Sequence, residues 1–186
     1  MRKSNKKLIF LIKLNLNEQS TKMNNPFIQQ FVKFMFEYQE ENNIKAKCVT
    51  NTQYLYDFVK RNFPNENVKA KAVIVVGYDE VNNNLYLINH LVLYFDNEYL
   101  LDCSYEVSTK KVSIYNEMKY FANIKEVVKY CTRINKDTDT LKHISKRHLE
   151  FLKHANEKKN GGLVITDKEY YNNQADYVEA KMAEYW

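Results

Sequence analysis

Glycine is scarce in this 186-residue chain, with three residues, and proline scarcer still, with two. That excludes a collagen-like repeat and a Gly/Pro-rich flexible chain, and no Pro/Gly/Ser-rich linker divides the sequence. Long apolar runs are also missing. Leu8 to Ile12 is stopped by Lys13, far short of the roughly 18 to 20 residues a membrane-spanning helix needs. Lys3, Lys6 and Lys7 before that run imitate the start of a signal peptide. Five apolar residues are too few for its hydrophobic region, and no small-residue cleavage site follows. The reading is a soluble, non-secreted protein with no membrane span. Cysteine is limited to three residues, an odd count without a pairing pattern, which fits the reducing cytoplasm and not a disulfide scaffold.

What is abundant points first to codon usage. There are 24 Lys against 4 Arg, together with 23 Asn and 15 Tyr; Lys, Asn and Tyr share A/T-rich codons. The net charge of +5 therefore supports solubility and weak contact with nucleic acid or another anionic surface. A nucleic-acid footprint needs its basic residues gathered on one face. With 45% hydrophobic and 27% charged residues, the chain has the composition of a globular domain.

Periodicity supplies the elements. Residues 8 to 16 alternate as a strand would. Asn25 then Pro26 reads as a helix start, a capping side chain followed by a residue whose missing N–H is no loss. Phe27, Phe31, Phe34, Met35 and Tyr38 make that helix's apolar stripe. A second helix is expected from Cys48 to Phe63, ended by Pro64. Lys69 to Tyr78, built around Ala72-Val73-Ile74-Val75-Val76, reads as a buried strand. Leu85 to Phe95 is apolar on both parities, as a central strand would be. A tight turn at Asp96-Asn97-Glu98 leads to a strand over Tyr99 to Cys103, and Val107 to Tyr115 suggests another. Helical spacing resumes with Met118, Phe121, Ile124, Val128 and Cys131. A basic helix is expected over about 141 to 158. Gly161-Gly162 is a joint, and Thr166 and Glu169 have capping-box spacing before a last helix with Tyr171, Ala175, Val178 and Met182 inward. Helices, a strand group, then helices again describe an α+β domain over 1–160, with 161–186 packing on it as an extension.

One polar residue interrupts the central strand. His90 lies in Leu87-Ile88-Asn89-His90-Leu91-Val92-Leu93, where a buried ring needs partners for its nitrogens. Asp102 follows Tyr99-Leu100-Leu101 directly. A three-residue loop at 96–98 would set Phe95 opposite Tyr99 and Val92 opposite Asp102. His90 and Asp102 would then share a face as diagonal neighbours, roughly 5 to 8 Å apart at Cβ; a two-residue loop would put them on opposite faces. A carboxylate that orients a histidine leaves its other nitrogen able to take a proton from a thiol. Cys48 is the candidate thiol, because a helix start favours the thiolate that attacks.

The order Cys-led helix, strand, His-led strand, Asp-ended strand resembles the transglutaminase-like branch of the papain-like cysteine hydrolases. Cys48-Val49-Thr50-Asn51, Val75-Val76-Gly77-Tyr78, Asn89-His90-Leu91-Val92-Leu93-Tyr94 and Asn97-Glu98-Tyr99-Leu100-Leu101-Asp102 carry the likeness, over about residues 43 to 107. Relatives often have Gly before the nucleophile, an aromatic soon after the His and Pro after the Asp; here Lys47, Leu91-Val92 and Cys103 stand there. The resemblance implies a Cys-bearing helix packed on an antiparallel sheet carrying His and Asp. It also implies a catalytic triad of Cys48, His90 and Asp102, a thiol protease or amidase acting on a protein or peptide substrate, and neither cofactor nor metal. The backbone N–H of Cys48 is a candidate oxyanion donor.

Two other readings compete. The same fold would serve as an inactive interaction module, or the chain would be a basic nucleic-acid binder whose Cys, His and Asp are incidental. Cys103 should face away from Asp102, and Cys131 falls on an apolar stripe. His143, His148 and His154 with Cys131 have spacings of five and six residues, unlike the i,i+4 pair of a helical metal site.

Overall fold

The computed structural model describes residues 25–79, 84–95, 99–108, 118–134, 146–158 and 167–185. It is a mixed helical and antiparallel-sheet protein with the elements α1 (Pro26–Glu41), α2 (Cys48–Asn62), β1 (Val68–Asp79), β2 (Asn84–Phe95), β3 (Tyr99–Leu101), α3 (Tyr105–Ser108), β4 (Met118–Phe121), α4 (Ile124–Ile134), α5 (Lys146–Glu157) and α6 (Lys168–Tyr185). The α+β class is therefore observed. Hydrogen bonding orders the strands β3-β2-β1-β4, so β2 is an interior strand. The proposed strand over 8–16, the turn at 96–98, the Gly161-Gly162 joint and His143 lie outside the described residues.

The described residues fall into two compact units. One gathers those within 1–69, 93–110 and 163–186; the other gathers those within 70–92 and 111–162.

In the first unit, α1 begins as its sequence predicts. The Asn25 side chain accepts from the N–H groups of Phe27 at 3.0 Å and Ile28 at 3.3 Å, satisfying two of the donors a helix start leaves open. Its inward face holds Ile28, Phe31, Val32, Met35 and Gln39. The helix stops because Asn43 takes a left-handed conformation, φ 49°. Asn43 N–H then donates to Glu40 O and Ile44 N–H to Gln39 O, the paired closing bonds of a Schellman end. Phe31 stacks on Phe58 of α2 with ring centroids 3.6 Å apart and also meets Tyr54. Burying one such ring stabilises the fold by about 1.5 to 3 kcal/mol. α6 packs on α1 and α2, and α3 packs on α1.

The second unit holds most of β1 and β2 together with β4, α4 and α5. Ala72 to Val76 are fully buried, so a five-residue apolar run is covered on both faces. Met118–Phe121 is a strand paired antiparallel with β1, Ile74 opposite Phe121 and Gly77 opposite Met118. That corrects the sequence expectation of a helix beginning at Met118: the helix starts at Ile124, after Asn123, whose side chain accepts from Lys125 N–H at 2.8 Å. Two apolar residues three apart fit either period, and pairing with β1 decides it. The strand expected from Val107 is likewise corrected, since 105–108 form helix α3; 109–115 lie outside the described residues.

Candidate active site

Cys48 is the first residue of α2. It is a free thiol, half-buried, whereas Cys103 and Cys131 are buried. Asn51 N–H bonds to Lys47 O at 2.9 Å, closing the first turn. Lys47 occupies the cap position without a side-chain capping bond. Its ammonium reaches across to Asp167 at 2.6 Å and lies 5.8 Å from the ring centroid of Tyr170. The helix start is therefore held from outside, by the beginning of α6.

Asp102 directly follows β3. It is 5% exposed, and its Oδ1 accepts the Ser104 N–H at 2.9 Å, an Asx-type turn that leads the chain off the sheet into α3. The β2–β3 register is Phe95 opposite Tyr99, Tyr94 opposite Leu100 and Leu93 opposite Leu101. This is the register that a three-residue loop requires. His90, 1% exposed, lies in β2 on the parity of Val92 and Tyr94, with its ring 6.4 Å from that of Tyr120. Cys48 and Asp102 belong to the first unit and His90 to the second.

A third group, the Cys103 thiol, directly follows Asp102 in the chain and is fully buried. Burial pushes this thiol far up from its ordinary range, and the Asp102 carboxylate and the Cys48 thiol raise it further. Cys103 Sγ is 3.8 Å from the Thr52 hydroxyl of α2. At rest Cys103 is thus a protonated thiol wedged against the helix that Cys48 opens. Burial likewise pushes Cys131, on α4, up to about 11.

Around these residues the first unit holds a buried polar lattice that hydrophobic patterning did not anticipate. Gln39 uses all of its hydrogen-bonding capacity. Its amide NH2 donates to Cys103 O and to Gln174 Oε1, each at 3.0 Å. Its carbonyl accepts from Asn51 at 3.2 Å and from Tyr105 N–H at 2.8 Å. Asn51 also donates to Ser104 Oγ at 3.4 Å. Its own carbonyl accepts from Tyr170 OH at 2.6 Å, and Gln174 Oε1 is a second acceptor 3.0 Å from that hydroxyl. Burial raises the Tyr170 phenol, with the Cys103 thiol adding to the effect. The lattice therefore ties α1, α2, the segment after β3 and α6 into one body. Asn51 lies one turn from Cys48, and Ser104 two residues from Asp102. The signal in the sequence was a glutamine on each apolar stripe: Gln39 after Phe31 and Met35, and Gln174 between Tyr170 and Val178.

α6 corrects one face and one cap. Its buried stripe is Tyr170, Gln174, Val178 and Met182, not a stripe led by Tyr171 and Ala175, because the Gln174 carbonyl accepts from Gln39 and meets the Tyr170 hydroxyl in the lattice. The cap is Asp167, whose Oδ1 accepts the Tyr170 N–H at 2.9 Å.

Among the described residues no cluster of three or more His, Cys, Asp or Glu is arranged to hold a metal ion, and no helix is long and apolar enough to cross a membrane. The chain matches no protein-family model, no curated protein and no solved structure.

Proposed function

We propose that the protein is a thiol-dependent hydrolase or acyltransferase of papain-like, transglutaminase-like architecture, working in a reducing compartment on amide bonds of a protein or peptide. Cys48 attacks the amide carbonyl carbon as His90 removes the thiol proton. The tetrahedral species collapses to a thioester when the C–N bond breaks and His90 returns that proton to the leaving amine. Water, or an amine in a transfer reaction, then attacks the thioester carbonyl; His90 takes its proton and gives it to the departing Cys48 sulfur. Asp102 fixes the tautomer of His90 and favours the imidazolium.

The observation that supports this reading is the pairing of Phe95 with Tyr99, the register from which the sequence argument expects Asp102 and His90 to share a face. Cys48 at the start of α2 adds to it, because it is a free, half-buried thiol beside the backbone N–H groups that a first helical turn leaves open.

The test is iodoacetamide labelling at about pH 6, where an ordinary thiol is almost wholly protonated, read per cysteine by peptide mass spectrometry. Fast labelling of Cys48 that is lost in His90→Ala, with Cys103 and Cys131 unreacted, supports the enzyme. Labelling of Cys48 at the same rate in wild type and His90→Ala overturns the pairing and leaves an inactive module. Salt-sensitive binding of a nucleic acid with no activated thiol would favour the third reading.

A further inference from the structure

Cys48 and Thr52 are four residues apart in α2 and so lie on one helix face, with Cβ atoms about 6 Å apart. The Thr52 hydroxyl is 3.8 Å from Cys103 Sγ, so that same face points at the buried thiol. Nothing in the proposed acyl transfer uses Cys103, although it adjoins Asp102 and sits fully buried. Its thiol and that of Cys48 interact electrostatically. One is half-buried and reachable from solvent, the other is dry, and both belong to one compact unit.

We propose that Cys48 and Cys103 form a peroxide-driven disulfide switch, with Cys48 as the oxidised thiol and Cys103 as the resolving one. A hydroperoxide transfers one oxygen to the Cys48 sulfur, giving Cys48–SOH and releasing water or an alcohol. The Cys103 sulfur then attacks the Cys48 sulfur, the S–O bond breaks, and the Cys103 proton leaves with the hydroxide as water. Two thiols and one peroxide thus become one disulfide and two molecules of water, or one water and one alcohol. A disulfide needs Cα atoms within about 7 Å, so the bond forms only when the first turn of α2 and the segment after β3 come within that span. Burial keeps Cys103 protonated, so resolution is slower than the first oxidation and the bond appears only under sustained peroxide. As regulation this rests on Cys48 being the nucleophile, since the disulfide would withdraw it; the bond itself does not depend on that role.

The test exposes the full chain to hydrogen peroxide, blocks remaining thiols with iodoacetamide under denaturing conditions, and maps peptides without reduction. The expected result is a linked peptide pair containing Cys48 and Cys103, short of two hydrogens and reversed by dithiothreitol, with Cys131 still alkylated. In Cys103→Ser the same exposure should carry Cys48 on to the sulfinic acid, which dithiothreitol does not reverse. Should that variant misfold by circular dichroism, Cys131→Ser is the reference: it must form the same link as the native chain. Sulfinic acid at Cys48 in the native chain beside an alkylatable Cys103, or a link to Cys131, would overturn the switch. A link formed in a chain without acyl-transfer activity would sustain the switch and refute the proposed enzyme, so the two failures are distinct.

Discussion

Cys48 and Asn51 share the first turn of α2, and substitution should separate their roles. Cys48 is half-buried and alanine is the best helix former. Cys48→Ala should therefore leave unfolding free energy within about 0.5 kcal/mol of native while abolishing acyl transfer. A large loss of stability would mark the thiol as a core group. Asn51 is 2% exposed and bonds to Gln39, Ser104 and Tyr170. Truncating it strands buried partners, so Asn51→Ala should destabilise by about 2 to 3 kcal/mol in urea unfolding, and an unchanged midpoint would show the lattice to be energetically idle. Sequence reasoning saw the first residue and missed the second. Cys48 is rare and sits at a helix start, whereas an Asn in a chain with 23 of them gives no hint that this one is dry.

At the scale of elements, α6 shows what periodicity can and cannot give. The helix itself, its length and Val178 and Met182 as inward residues follow from spacing. Its facing does not, because Gln174 is inward only by virtue of bonds to Gln39 and Tyr170 from sequence positions far away. β4 failed for a related reason: its apolar pair fits two periods until Ile74 and Gly77 choose between them. The hairpin, by contrast, was legible down to its register, because strand parity leaves only two answers and loop length selects one. The start of α6 carries a prediction of its own. The hydrogen bond from Lys47, followed by the Tyr170 N–H, holds the Asp167 carboxyl below its usual range. A depressed folded-state value stabilises above the unfolded one and fades as pH falls through the folded one. The docking of α6 should therefore weaken below about pH 4. Asp167→Asn keeps a capping side chain and loses the ion pair, so it should lower the melting temperature at pH 7 less than Asp167→Ala does. It should also remove the acid-side loss of stability; a native-like acid limb in Asp167→Asn would exclude the pair as its cause.

For the whole molecule, composition gave the broad class and little else. The α+β mixture could be read from the sequence of periods, while the division into two units could not, because the chain enters the first unit three times and no linker marks the crossings. The abundance of tyrosine, which first suggested only codon bias, has a physical consequence in the first unit. Burial raises the phenols of Tyr54, Tyr170, Tyr171 and Tyr177. Tyr171 donates to Asp57 at 2.8 Å and Tyr177 to Glu41 at 3.2 Å, so a phenolate at either would face a carboxylate. Tyr177 is pushed up to about 12, and the other three lie higher still. A raised folded-state value keeps its full stabilisation below the unfolded value near 10 and loses it as pH climbs toward the folded one. The native chain should therefore stay folded to about pH 10 and then unfold cooperatively. Tyrosinate absorbance should rise in two phases, exposed phenols first, the second phase coinciding with loss of far-ultraviolet circular dichroism. Tyr171→Phe with Tyr177→Phe removes two of the four phenols and both carboxylate contacts, and should move that second phase to higher pH and shrink it. A single tyrosinate phase near pH 10, with the circular dichroism unchanged across it, would mean that these four rings are not sealed by the packing of α1, α2 and α6.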